Sequence, residues 1–376
     1  MRRILYLSRG GQTGGSQRQL AYLLDGLDRG RWGPVVVCRE DGPFVEQLRS
    51  GDVETHVMRL SPWRKWRAGL GRFGDCWRLA QLAQRAGVAL VHCSDLWLSG
   101  YMRHVAKRLG VPSVLHVRAP KPPGELRKHR CRSATAVIAI SRRVGGQLTA
   151  AGVAPERITV MYDAVDLERF AFAERDGQRD EADSVLRRAF PQARGVLVGL
   201  VGRIDPAKRQ EDFLRAAGEA MRDARGQATF FLIGPAYRPS YAAALRAFAR
   251  RDGLDGRVIF TGVRNDMPAV LGSLDVLVSL SGGSVMMEAM ACGAAVVSAG
   301  FTPAADSEIV RDGETGLLLP PGREFELGAT LRRVIGDAAL RRRLARSGRR
   351  HAETHYGADR LVAATQAIYE RLLDEG

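Results

Sequence analysis

The chain has 376 residues, of which 45% are hydrophobic and 26% charged, and it carries a formal net charge of +16. That length exceeds one simple core and predicts two domains, while the apolar content excludes a disordered chain. No uninterrupted apolar run is long enough to span a membrane. The charge predicts an anionic partner: nucleic acid, a membrane surface or a phosphorylated substrate. Arginine bias of the genome is the uninformative source of the same excess.

At the N-terminus, Met1-Arg2-Arg3 precedes a short apolar run, Ile4–Leu7, that stops at Ser8-Arg9-Gly10-Gly11. This is too short for the apolar core of a signal peptide, so it predicts a first strand and a cytoplasmic location. Further β-type runs follow at Val35–Cys38, Thr55–Met58, Leu90–Cys93, Ser113–Val117 and Ala136–Ile140. Amphipathic stretches Gln17–Leu27, Asp75–Ala86 and Gly100–Leu109 lie between them. Alternation of this kind predicts an α/β fold with a parallel, doubly wound sheet. From Val153 to Asp166, and through the charged stretch Glu174 to Asp183, the pattern reads as a connection between domains and a surface segment. Alternation then resumes at Gly195–Val201, Thr229–Ile233, Val258–Phe260, Val276–Leu280, Ala294–Ser298 and Gly316–Leu319. Two Rossmann-like halves facing each other across a cleft are the simplest architecture. Arg341 to Arg350 reads as a solvated helix face, and Ala358–Leu373 as a final helix. The five cysteines contain no CxxC pair and read as free thiols, and the seven histidines form no metal motif.

Two loops carry the chemistry. After the run Val196–Val201 come Gly202-Arg203, a turn at Pro206, and Lys208 at the mouth of a helix beginning near Gln210. A planar guanidinium, a compact ammonium and a helix N-terminus on one strand-to-helix loop suit a pyrophosphate. The second loop, Ser281-Gly282-Gly283-Ser284, leads into a helix that carries Glu288 one turn inside. A diphosphate attached to a ribose matches the pair. An ordinary surface ion-pair loop is the bland reading of Arg203 and Lys208, and a partly buried structural carboxylate that of Glu288. The first loop, Gly10 to Gly15, does not fit GxGxxG, which argues against a dinucleotide site with Glu40 as ribose acceptor.

Further motifs complete a resemblance. Gly14-Gly15-Ser16-Gln17-Arg18, the strand end His116-Val117-Arg118, Tyr162-Asp163-Ala164-Val165-Asp166 with Phe170, Phe260-Thr261-Gly262, Glu288-Ala289-Met290-Ala291-Cys292-Gly293, and Glu308 with Gly313-Glu314-Thr315-Gly316-Leu317-Leu318 occur in this order. In order and spacing the chain resembles the retaining nucleotide-sugar glycosyltransferases of GT-B architecture, glycosyltransferase family four (glycosyl transferases group 1). The resemblance implies an N-terminal acceptor-side domain at 1–170, a connecting segment at 171–190, a donor-binding domain at 191–355, and a terminal helix at 356–376 packing back on the first domain. It implies transfer of a sugar from a nucleoside diphosphate to an acceptor hydroxyl, in glycolipid, lipopolysaccharide or surface-polysaccharide assembly.

By the same resemblance, Arg203 and Lys208 stabilise the departing diphosphate and Glu288 binds the ribose hydroxyls. Gly262, Val263 and Arg264 cradle the base through their backbone. Gly202, Gly283, Ser284 and Val285 complete the donor loops, and Gly14 and Gly15 bring amides to the phosphate when the domains close. His116 joins Arg203 and Lys208 as a catalytic residue, and Gln17, Arg18, His116 and Arg118 face the acceptor. No metal or other cofactor is implied, since such enzymes neutralise the leaving group with protein cations. A position commonly occupied by a glutamate that holds the donor sugar is Leu280 here. That departure leaves two alternatives open: a catalytically impaired nucleotide-sugar-binding protein of the same fold, or a nucleotide-sugar epimerase or hydrolase. Finally, Trp63, Arg64, Lys65, Trp66 and Arg67 fit an anionic membrane surface, with lipid-linked acceptors and a peripheral position at the inner face of the cell membrane. Stacking of Trp on Arg within the fold is the competing reading, and nucleic acid is disfavoured.

Overall fold

Each apolar run builds a strand paired in parallel with its neighbours, because runs rich in Val, Ile and Leu are suited to burial on both faces. In a computed structural model, which describes residues 1–12, 14–63, 69–171, 184–222, 228–299 and 308–374, the chain divides into two units. One comprises Met1–Ala164 with Ala358–Gly376, the other Val165–Gly357.

The first unit holds β1 (Arg2–Ser8), β2 (Trp32–Cys38), β3 (Glu54–Val57), β4 (Val88–Cys93), β5 (Ser113–Val117), β6 (Ala136–Ala139) and β7 (Ile158–Val160). Their order in the sheet is β3-β2-β1-β4-β5-β6-β7, so the winding direction reverses between β1 and β4. Alternate residues feed two cores, as the period of a strand requires. Leu5, Leu7, Val35 and Val37 face one layer. Ile4, Tyr6, Val36 and Cys38 face the other, which also receives Leu361, Ile368 and Tyr369 from the helix Ala358–Asp374. That helix packs on the helix Gly15–Gly26 so closely that a Cβ on Gly26 would lie 2.6 Å from Val362 Cγ2. Arg31–Glu370 and Arg2–Asp374 ion pairs hold its outer face.

The second unit holds β8 (Val196–Val201), β9 (Ala228–Ile233), β10 (Val258–Gly262), β11 (Val276–Ser279), β12 (Ala295–Ala299) and β13 (Leu317–Leu319). Their order is β10-β9-β8-β11-β12-β13, and the winding reverses between β8 and β11. Parallel sheets of this kind bind ligands beyond the carboxyl ends of the strands at the reversal point. The functional loops of each unit are therefore expected after β1 and β4, and after β8 and β11.

The structure differs from the sequence expectation between 153 and 190. Ile158–Val160 is an edge strand paired with β6, not a connection, and Met161 and Ala164 are buried in the first unit's core. The division between units falls at Ala164/Val165. Ser184 caps a short helix, Val185–Ala189, whose Leu186 is fully buried, so the end of the expected connecting segment is part of the second unit. The stretch 172–183 lies outside the described residues. The arginines of the helix Ala338–His355 also do more than face water. Arg341 Nη1 donates to the carbonyls of Val334 and Ile335, closing the preceding helix, and Arg343 donates to Gly313 O.

Candidate functional site

The functional side chains form one group at the carboxyl edge of each sheet. In the second unit, three loops are laced by their backbones: Gly202 N donates to Ile233 O (2.8 Å), Ile204 N to Pro235 O (2.8 Å) and Gly234 N to Gly262 O (3.0 Å). The approach is close enough that a Cβ on Gly234 would sit 2.2 Å from Gly202 O, and Gly234 has φ +142. Only glycine fits there. Asp205 caps the turn Pro206–Lys208 by accepting from Ala207 N at 3.0 Å. The fully buried Gln210 donates from Nε2 to Arg203 O at 2.7 Å. These bonds fix the backbone that carries Arg203 and Lys208.

Lys208 Nζ donates to Ser281 Oγ at 2.9 Å, joining the loops on either side of the reversal point. Burial first, and the Arg203 charge second, hold its amine below the ordinary lysine range. Arg203 is exposed, and among the described residues its guanidinium has no anionic partner. The helix Gln210–Arg222 begins beside them, with Glu211 and Asp212 in its first turn, so part of its dipole is already answered. Gly282 (φ +66) and Gly283 (φ +116) turn the chain after β11 into the helix Val285–Ala291. Within that helix Glu288 is 5% exposed, and Ser284 Oγ lies 3.5 Å from its Oε1. Val263 is exposed beyond β10, whereas Arg264 is committed to Asp266 through two bonds of 2.8 and 2.5 Å. Its side chain is thus unavailable, which leaves the backbone role expected for it.

In the first unit the helix Gly15–Gly26 starts after β1. Its cap, Gly14, makes no side-chain bond, its first turn holds no acid, and nothing lies within 4 Å of a Cβ placed on Gly15. Gln17 folds back over the loop, its Oε1 2.9 Å from a Cβ placed on Gly14. Arg18 follows in the same turn. Gln19, not singled out from sequence, is buried and clasps Ala164 through two 2.7 Å bonds. Below this helix a small cavity is lined by Ser16, Gln19, His92, Ser94, His116 and Arg118 among others, with about 10 Å³ free. That is room for one water molecule.

His116 and Arg118, both expected to face the acceptor, line this cavity, and Arg118 is engaged within the unit. Its guanidinium is paired with Asp163, both being largely buried, and its Nη1 lies 3.5 Å from His116 Nδ1. Its charge is therefore compensated inside the unit. Burial above all, then Arg118, lowers the pKa of His92 to about 3 and that of His116 well below 6.5. Burial thus favours the neutral form of both imidazoles. His92 was missed in the sequence; its signal is a polar residue in the penultimate position of an apolar strand, as His116 is in the next.

The aromatic–basic segment is corrected in part. Trp63 packs inside the unit, edge-on to Tyr101 at 5.0 Å and beneath the Arg72 guanidinium at 5.2 Å. A side chain on Gly100 would collide with its ring. Arg64, Lys65, Trp66 and Arg67 lie outside the described residues. Among the described residues, no helix is long and apolar enough to cross a membrane, and no cluster of three His, Cys, Asp or Glu could hold a metal ion. Leu280, where a carboxylate is common in the resembling family, is a core residue 2% exposed.

Two Rossmann-like α/β domains, each with its polar side chains gathered at the strand ends beside the reversal point, make this a protein of GT-B architecture. The crystal structure of Anabaena HepE in complex with UDP aligns with a TM-score of 0.83 at 24% identity, covering 99% of this chain and all of that one. Residues 13–169 match the Glycosyltransferase Family 4 model, and residues 195–337 the Glycosyl transferases group 1 model. The 2-deoxystreptamine glucosyltransferase of Streptomyces kanamyceticus is 31% identical over 329 residues, 82% of this chain and 79% of that protein. The D-inositol 3-phosphate glycosyltransferase of Salinispora tropica is 31% identical over 379 residues, 91% of this chain and 75% of that one. The chain belongs to the group 1 glycosyl transferases of family four, and it is an enzyme that transfers glycosyl groups.

Proposed function

We propose that the enzyme moves a sugar from a nucleoside diphosphate to a hydroxyl of a polyhydroxylated ring, with retention at the anomeric carbon. The observation that carries this reading is the Arg203–Lys208 loop: two cations without an ionic partner among the described residues, locked at the reversal point of the second sheet. A diphosphate supplies the missing countercharge, and its charge grows as the sugar bond breaks, so the cations bind the transition state more tightly than the ground state. The bond from anomeric carbon to diphosphate oxygen breaks, and that to the acceptor oxygen forms. The acceptor proton passes to the leaving phosphate, so no side-chain base is needed. Glu288 takes the ribose hydroxyls. With Leu280 in the core, the donor sugar's own hydroxyls are held by groups other than a carboxylate there.

UDP-glucose is the first donor to try, since HepE is described in complex with UDP. The relatives' names point to cyclitol acceptors, 2-deoxystreptamine and D-inositol 3-phosphate, in place of the lipid-linked acceptor suggested by the tryptophan-rich segment. The test is binding and turnover across UDP-, GDP- and dTDP-sugars with these acceptors, with and without EDTA. Product anomeric configuration is read by NMR. Expected are binding of one donor class, turnover indifferent to EDTA, a product of unchanged configuration, and loss of binding in Lys208→Ala. A protein that binds no nucleotide sugar, or whose Lys208→Ala variant binds and turns over as before, overturns the reading.

A further inference from the structure

At the reversal point of the first sheet the chain leaves β4 through Ser94 and Asp95 into a single turn, Leu96–Leu98. Leu96 and Leu98 are buried in the core, and between them Trp97 is 44% exposed. Of the large apolar side chains exposed among the described residues of the first unit, it alone stands on a loop that follows β1 or β4. That edge is where a doubly wound sheet receives its ligand.

The indole is held in place. Trp97 N donates to Asp95 Oδ1 at 2.9 Å, Leu98 N donates to Asp95 O at 2.9 Å, and Cys93 Sγ lies 3.0 Å from the same carbonyl. The ring meets that of His129 at 88°, with centroids 5.0 Å apart. His129 is itself buried, and its carbonyl accepts from Ser99 Oγ at 3.2 Å, two residues beyond Trp97. Backbone and ring are therefore both fixed before a ligand arrives, so covering the exposed surface costs little ordering entropy. Trp77 provides the contrast. It is 54% exposed but sits midway along the helix Gly69–Arg85, beside the sheet and not at its carboxyl edge.

We propose that Trp97 is the platform on which the acceptor ring stacks. The cations that answer a diphosphate stand in the second unit, which leaves the reversal point of the first to the acceptor. A polyhydroxylated ring in chair form with equatorial hydroxyls carries its oxygens on the rim and C–H groups on its faces. Those hydrogens are weakly positive and meet the negative face of the indole, while the hydroxyls stay at the rim, in reach of water and polar groups. An acyclic polyol offers the same hydroxyls without such a face. Stacking fixes the plane of the acceptor and so selects which of its hydroxyls can meet the anomeric carbon. The identity of the ring rests on the function proposed above; the fixed, exposed indole does not.

The test labels the enzyme with 5-fluorotryptophan and assigns the ¹⁹F resonances of Trp97 and Trp77 by their Phe variants. With UDP present, 2-deoxystreptamine, D-inositol 3-phosphate or myo-inositol is added, whichever the enzyme glycosylates, and an acyclic hexitol serves as control. The acceptor is expected to shift the Trp97 resonance and leave that of Trp77 in place, and the hexitol to shift neither. In turnover, Trp97→Ala is expected to raise the acceptor KM by about tenfold or more, with the donor KM unmoved. Trp97→Phe, which keeps a smaller aromatic face and the contact with His129, should recover most of that loss, and Trp77→Ala should behave as the native enzyme. If the native enzyme glycosylates an acceptor that leaves the Trp97 resonance in place, or Trp97→Ala keeps the acceptor KM, the platform is wrong and the functional reading stands. Donor and acceptor KM rising together in both Trp97 variants would make the residue a support of the fold, which also overturns the proposal. A native protein that binds no nucleotide sugar and glycosylates no acceptor sinks the functional reading and the platform with it.

Discussion

The two units place opposite electrostatics at equivalent edges of the same fold. Beyond β8 and β11 the second unit presents Arg203 and Lys208 with no carboxylate to answer them, and a buried Glu288 nearby. Beyond β1, β4 and β5 the first unit presents cations already answered, Arg118 by Asp163 and Arg9 by Asp95 at 3.5 Å, near two buried imidazoles. The same sheet and the same reversal point thus carry unanswered cations in one unit and answered ones in the other. What separates them is whether each cation has its countercharge within the protein.

The largest effect should follow from removing an unanswered cation. Arg203→Ala is expected to lower kcat by about 10²–10³-fold, the range seen when a transition-state donor is lost. Its exposed guanidinium supports no core contact, so the thermal midpoint should stay near that of the native enzyme. Arg9→Ala, which removes an answered cation, is expected to change kcat less than about threefold, as a half-exposed pair contributes little. Steady-state kinetics at saturating donor compare the two directly. Equal losses in both variants would erase the distinction between the units.

Acidification should read the first unit's neutrality next. His92 has its pKa depressed from 6.5 to about 3 in the fold. Folding therefore favours its neutral form, and the stability so gained is complete above pH 6.5 and lost as pH falls toward 3. At pH 5 the loss from His92 amounts to about 2 kcal/mol. His116 shifts in the same direction in the same unit. In the second unit His351 falls to about 4, mainly through burial, and alone supplies such a loss among its resolved histidine shifts. Hydrogen exchange at pH 7 and pH 5, read separately for each sheet, should show the larger loss of protection in β4 and β5. His92→Phe should flatten the pH dependence there and leave β8 and β11 unchanged.

Those two predictions also mark what could be read from the chain alone. The Arg203–Lys208 loop was legible because its parts are contiguous: an apolar run, a glycine, two cations and a helix start. Strand β7 was not, since an edge strand of three residues, half-buried to exposed, lacks the continuous apolar signature of its neighbours. The His92–Tyr369 bond joins residues 277 positions apart, and no local pattern announces it. Trp63 misled for the opposite reason. A tryptophan among arginines has the composition of a membrane contact, and only the packing of Gly100 and Tyr101 against its ring shows that the face is used internally.

The Arg118–Asp163 pair offers the smallest change and the most direct conversion of one unit into the other. In the resembling family an asparagine commonly stands where this chain has Asp163. Asp163→Asn keeps the size and the hydrogen-bond acceptor but removes the countercharge, leaving Arg118 unanswered beside His116. The pair is only 13% and 14% exposed, so part of its attraction is unscreened and some stability, about 1–3 kcal/mol, should be lost with it. The edge of the first unit then becomes cationic, as that of the second already is. KM for a phosphorylated cyclitol acceptor should fall several-fold, KM for its unphosphorylated counterpart should stay, and kcat should change little, because the leaving group is stabilised elsewhere. Competition between the two acceptors reads the ratio without dependence on enzyme concentration. An unchanged ratio would mean that Arg118 does not sense the acceptor, and that the neutrality of the first unit serves its core and not its substrate.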